Sequence, residues 1–127
     1  MKQLKSNLDF GIFEPIQQVA AIALDNAEEV TSQLRKTFSE RHKTLMNGLQ
    51  SIGWEVAPSD GGMFVWAKYP STLNSVDFAF KAIEETGVVM VPGTTFGTAG
   101  EGYVRLALVQ PVERLQEAVE RLKRLAN

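Results

Sequence analysis

The chain has 127 residues, 44% of them hydrophobic and 22% charged, which is the composition of an ordinary globular protein with enough length for one sizeable core. With no cysteine and a single histidine, disulfides, thiolate metal sites and a cysteine nucleophile are excluded, and no metal is expected. Thirteen Lys and Arg interleave with 15 Asp and Glu, so there is no basic footprint for nucleic acid, and no apolar run suits a membrane span or a secretory signal; the expectation is a cytoplasmic protein.

Pro15 suits the first position of a helix, and from there to Asn26 the residues Ile16, Val19, Ala20, Ala23 and Leu24 recur at helical spacing. This helix is apolar on most of its circumference and needs cover on several sides. From about Ala27 to Ser51 a long amphipathic helix is predicted, its stripe formed by Val30, Leu34, Phe38, Leu45, Leu49 and Ile52 and its end set near Gly53. The period then changes to two in Trp54 to Ala57 and again in Gly62 to Tyr69, with the turn residues Pro58 to Gly61 between them, which predicts a β-hairpin.

Ser75 reads as the N-cap of a third helix whose apolar face, Phe78, Ala79, Ala82 and Ile83, stops at Gly87. Val88 to Val91 reads as a short buried strand, Pro92 to Gly102 as a glycine-rich loop, and Tyr103 to Val109 as a strand with Val104, Leu106 and Leu108 on one face. Pro111 opens a last helix in which Val112, Leu115, Val119 and Leu122 repeat at three and four residues. The order of elements predicts an α+β two-layer sandwich, a small and mainly antiparallel sheet covered by helices.

The glycine-rich loop ends in a strand and lacks the Lys-Ser/Thr ending of a phosphate-binding loop, so it reads as a structural turn. Arg105 lies in the following strand on the face opposite Val104 and Leu106, and a guanidinium there needs an anion. That anion is either an internal carboxylate such as Glu101 or Asp60, or the carboxylate of a ligand held by the two-donor fork of arginine; spacing does not separate the two. His42, flanked by Arg41 and Lys43, reads as solvated and without a role, Gly61-Gly62 as a turn, and Lys68 as a surface residue.

The run Val91-Pro92-Gly93-Thr94-Thr95-Phe96-Gly97-Thr98-Ala99-Gly100-Glu101-Gly102-Tyr103-Val104-Arg105 resembles the C-terminal end of the class I and II, fold type I, pyridoxal-phosphate-dependent aminotransferases. Gly61-Gly62-Met63-Phe64-Val65-Trp66 resembles the G-G-[MA]-F strand of the same family, and Ser6-Asn7-Leu8-Asp9 with Gly11 to Gln17 resembles the segment that enters its small domain. The similarity covers essentially the whole chain, with the bacterial aspartate, alanine and LL-diaminopimelate aminotransferases as the nearest subgroup.

The resemblance implies transfer of an amino group between an amino acid and a 2-keto acid by an intact enzyme that carries pyridoxal phosphate and is a homodimer or other homo-oligomer. It implies that Arg105 binds the substrate α-carboxylate, that Phe64 lies near the substrate, and that Ser6 and Asn7 run close to the cofactor and the subunit interface. None of Lys2, Lys5, Lys36, Lys43, Lys68, Lys81 and Lys123 stands in the Schiff-base motif. The chain thus resembles the small C-terminal domain alone, with no catalytic residue of its own and no activity by itself. Residues 1–26 would be an entry segment with an apolar helix facing the missing large domain, and residues 27–127 the domain proper. The other readings are a stand-alone α+β carboxylate-binding or regulatory module without catalysis, and a folded structural fragment without any ligand.

Overall fold

A computed structural model describes residues 2–8 and 11–126, except for the side chains at positions 2, 6, 8, 30 and 126. The chain divides into two compact units, Met1–Arg35 and Lys36–Asn127, a division inside the long helix where the sequence reading places one between residues 26 and 27.

The first unit is helical. Helix α1, Lys2–Leu8, has no counterpart among the sequence expectations; within it the Asn7 side-chain amide donates to the Gln3 carbonyl at 2.8 Å. Helix α2, Glu14–Asp25, starts where Pro15 and the acidic Glu14 favour a helix N-terminus. None of its residues is buried, and Ile16, Val19, Ile22 and Leu24 are more than half exposed. Helix α3, Ala27–Ser51, follows directly and continues into the second unit.

In α3 the apolar stripe becomes core only from Phe38 onward. Leu45 and Leu49 are buried, whereas Leu34 is 54% exposed and Val30 lies outside the described side chains. The helix ends because Gly53 takes φ +86°, a left-handed value that a Cβ disfavours, and the Trp54 N–H donates back to the Leu49 carbonyl. His42 departs from its expected solvation: it is half-buried, and its Nε2 is enclosed without a hydrogen-bond partner, because the turn of α3 that carries it borders the core residue Leu45.

Strands β1 (Glu55–Val56) and β2 (Phe64–Lys68) form the expected antiparallel hairpin, with Glu55 opposite Lys68. Lys68 donates to Glu55 at 2.9 Å, which raises its own pKa and confirms a surface residue paired across the strands. Gly62, at φ +93°, serves the turn between them, and a Cβ on Gly61 or Gly62 would meet nothing within 4 Å.

Helix α4 is Ser75–Thr86, and its cap differs from the expected one. Asn74 is the N-cap, its side-chain oxygen accepting from the Asp77 N–H at 2.9 Å, while Ser75 is the first helical residue and fully buried. Gly87 closes the helix in the left-handed conformation, as expected. The strand expected over Val88 to Val91 is reduced to β3, Val91–Pro92, because Val89 is 72% exposed and only Val91 and Pro92 pair with the neighbouring strand. Two 3-10 turns, Gly93–Phe96 and Thr98–Gly100, lead into β4, Tyr103–Ala107, and Pro111 caps α5, Val112–Leu122.

The four strands lie in the order β1-β2-β4-β3, all pairs antiparallel, and the α+β class stands as read. One face of β2 and β4, with Val65, Ala67, Val104 and Leu106, shares a single core with residues of α3, α4 and α5. Each such large side chain removed from water contributes about 1.5–3 kcal/mol, which makes this layer the main source of stability. Trp54, Tyr69 and Phe78 cluster within it: Trp54 meets the other two rings edge-on, and the Tyr69 and Phe78 rings are parallel with centroids 4.0 Å apart.

Candidate functional site around Arg105

The pleat that buries Val104 and Leu106 turns Tyr103, Arg105 and Ala107 to the other face of β4. Trp66 of β2 is directly opposite Arg105, Phe64 opposite Ala107, and Val91 of β3 flanks Arg105 on its second side. The guanidinium carbon sits 4.1 Å from the centre of the Phe64 ring and 4.5 Å from that of Phe96. Its Nε is buried and has no hydrogen-bond partner, and among the described residues no carboxylate pairs with it.

Both internal carboxylates that sequence reading offered to Arg105 are accounted for elsewhere. Glu101 Oε1 accepts from the Ser75 N–H at 2.7 Å and from the Gly102 N–H at 3.0 Å, and the hydroxyls of Tyr69 and Ser75 also reach its carboxylate. Partial desolvation pushes this carboxyl up, but the two N–H groups and the two hydroxyls outweigh it and hold it below the ordinary range. The same contact, after burial, pushes the Tyr69 phenol up to about 12. Asp60 is exposed in the hairpin turn and bonds to no arginine.

The glycine-rich loop closes on itself. A Cβ on Gly93 would lie 2.0 Å from the Gly100 carbonyl oxygen, and one on Gly100 would lie 2.1 Å from that of Gly93, so both positions exclude any side chain. Gly97 takes φ +123° between the two 3-10 turns, and the Ser75 and Thr94 hydroxyls meet at 2.9 Å, tying the loop to the start of α4. The loop is therefore a packed turn, as its sequence suggests, and it carries Phe96 to Arg105.

Arg105 and Phe64 also line a cavity of about 410 Å³, to which α5 contributes Arg114, Glu117 and Arg121. That volume suits a small ligand. Glu117 pairs with both Arg121 and Arg114, and the hydrogen bond from Arg121 is the main reason its carboxyl stays below the ordinary range. Three arginines against one glutamate leave the lining net positive, which favours an anion.

Of the residues expected at a site, Arg105 and Phe64 are brought together. Asn7 belongs to the first unit and bonds within α1, and the Ser6 side chain lies outside the described residues. Phe96, Arg114 and Arg121 were not singled out by sequence reading. Phe96 has a usable signal, an aromatic between two glycines of the loop that leads to Arg105; nothing in the sequence sets the two arginines apart from the other charges of their helix.

The family model for aminotransferase class I and II matches residues 1–122, and the chain belongs to that family. It is 41% identical over 121 residues to an LL-diaminopimelate aminotransferase of Halothermothrix orenii, covering 95% of this chain and 31% of that protein. To the LL-diaminopimelate aminotransferase of Aquifex aeolicus it is 40% identical, over 97% of this chain and 32% of the relative. Among solved structures, a probable N-succinyldiaminopimelate aminotransferase from Thermus thermophilus superposes with a TM-score of 0.87 at 28% identity, covering 97% of this chain and 33% of that one. An aromatic aminotransferase from Pyrococcus horikoshii gives 0.79 at 34% identity, covering 87% and 30%. The chain thus spans about a third of the length of the relatives it matches.

Pyridoxal phosphate requires a lysine amine for its aldehyde and a cradle of N–H groups for its phosphate. Among the described residues no lysine lines the cavity with Arg105, and Lys68, Lys81 and Lys123 pair with Glu55, Glu85 and Glu120. The contact of Gly93 with Gly100 leaves the glycine loop no open cradle. The described residues do not by themselves build a site for that cofactor.

Proposed function

We propose that this chain is the substrate-carboxylate-binding part of a pyridoxal-phosphate-dependent aminotransferase, which moves an amino group between an amino acid and a 2-keto acid. The observation that carries the reading is the Arg105 guanidinium, lying over the rings of Phe64 and Phe96, with no carboxylate among the described residues to neutralise it. Arg105 is half-buried with its Nε enclosed and unpartnered, a setting that an anion completes, and a planar carboxylate fits its fork with two charge-assisted hydrogen bonds. Phe64, against the same guanidinium, forms one wall beside the bound acid.

Arg105 fixes the substrate by its α-carboxylate and so orients the reacting carbon; orientation is the share of catalysis this chain supplies. The Schiff-base lysine, the phosphate cradle and the cofactor itself belong to the remainder of the intact protein, with Ser6 and Asn7 running near the cofactor and the subunit interface. The names of the relatives make LL-diaminopimelate the first amino acid to test. We further assign the protein to the cytoplasm, as a homo-oligomer in which the apolar surface of α2 is covered by a large domain or a second subunit.

The test is Arg105→Lys in the full-length polypeptide. Replacing the two-donor fork by a point charge should lower kcat/KM by about 100-fold or more. Turnover equal to the parent would refute the assignment, and a full-length protein that binds 2-oxoglutarate but forms no adduct with pyridoxal phosphate would favour a carboxylate-binding module.

A further inference from the structure

The two rings on Arg105 are held in different ways. Phe64 is part of β2, and the β2–β4 ladder fixes it. Phe96 comes from the loop, is 52% exposed and contributes nothing to the core. Its ring reaches the guanidinium because the loop is folded shut at Gly93 and Gly100 and turns at Gly97, with Thr94 tied to Ser75. The Trp66 ring then meets Phe96 edge-on, with centroids 5.7 Å apart, while Trp66 stacks on Tyr103. Close glycine packing, a left-handed turn and an aromatic brace thus converge on one half-exposed phenylalanine.

The electrostatics give that placement a purpose. Among the described residues no hydrogen bond orients Arg105: its Nε has no partner and no carboxylate pairs with it. An internal carboxylate would orient the guanidinium but would also compete with substrate for its charge. An aromatic face attracts the cation without neutralising it. With its carbon 4.1 Å from the centre of one ring and 4.5 Å from that of the other, the guanidinium keeps its N–H groups for a ligand, and these are the groups a carboxylate uses.

We propose that Phe96 is a positioning residue for carboxylate recognition: its ring packs against the Arg105 guanidinium together with that of Phe64 and holds the two-donor fork where the substrate carboxylate binds. The proposal rests on the reading of Arg105 given above. Phe96 acts through Arg105, and Trp66 holds Phe96 in place.

The test uses Phe96→Leu, which keeps an apolar side chain but removes the π face, and Phe96→Tyr, which keeps it. In 15N-labelled chain the Arg105 Nε proton, shifted upfield by the two rings, should move downfield in Phe96→Leu and stay in Phe96→Tyr. In the full-length polypeptide, with LL-diaminopimelate and 2-oxoglutarate, Phe96→Leu should raise KM about tenfold with kcat within about twofold, the scale of one desolvated cation–π contact, and Phe96→Tyr should restore KM. An unmoved Nε proton in Phe96→Leu, or a Phe96→Tyr variant as impaired as Phe96→Leu, overturns the proposal. So does an unchanged KM in Phe96→Leu when Arg105→Lys raises it. If Arg105→Lys also leaves KM unchanged, the assignment of Arg105 itself has failed and takes this proposal with it.

Discussion

The two units spend their apolar residues differently. In Met1–Arg35, α2 carries as many large aliphatic side chains as any core helix, and not one of its residues is buried. In Lys36–Asn127 the apolar faces of α3, α4, α5 and the sheet meet in a single core. Helix α3 contains both situations, with Leu34 exposed and Leu49 completely buried. Apolar content and helical period define a face; only a facing layer makes that face a core.

The sharpest stability effect is expected where backbone meets backbone in the second unit. Gly93→Ala places a methyl 2.0 Å from the Gly100 carbonyl oxygen, so the loop must open. It should cost at least about 4 kcal/mol by urea denaturation, and a loss near zero would show that the loop closes some other way. Leu49→Ala should cost about 2–4 kcal/mol, whereas Leu34→Ala, on the same helix, should stay within about 0.5 kcal/mol. Equal losses at the two positions would erase the contrast between the units.

The uncovered face of α2 can be probed through association. An apolar patch of this kind marks a partner surface, so the chain alone should self-associate at micromolar concentration through the region Leu8 to Leu24. Ile16→Glu combined with Val19→Glu should return it to a monomer in sedimentation velocity with an unchanged melting temperature. A parent chain that is already a clean monomer would contradict this.

A smaller effect is expected at Glu101. Because its folded pKa lies below the ordinary value, it favours the folded state above pH 4.5, and that contribution is lost as pH falls through the depressed folded value. Glu101→Gln should therefore flatten the acid limb of a stability-against-pH curve. Tyr69 acts at the other end: its raised phenol should withdraw stability as pH rises from 10.0 towards about 12, and Tyr69→Phe should remove that slope.

Periodicity made most of the second unit legible. The shift from a period of 3.6 to 2 at Trp54, the left-handed glycines Gly53 and Gly87, and the alternation of Val104, Arg105 and Leu106 are local signals that survive packing. The misses are tertiary. Ser75 has the chemistry of an N-cap, but Glu101 and Thr94 draw it inside and leave the cap to Asn74. Val88 to Val91 has strand composition, yet only Val91 finds a paired neighbour. The alternatives for Arg105 could be separated only by seeing where Glu101 and Asp60 go, and Phe96 becomes part of the site through a loop closure that composition does not encode.

The central claim is that Arg105 keeps its charge free for the carboxylate of a substrate. Its most direct measurement is a crystal structure of the full-length protein with a bound amino-acid analogue, read at the two terminal nitrogens of Arg105. The expected result is the α-carboxylate of the analogue in the plane of the guanidinium, about 2.7–2.9 Å from both nitrogens, with the Phe64 and Phe96 rings still against it. An Arg105 turned away and paired with a carboxylate of the protein itself, with the analogue bound elsewhere, would contradict it.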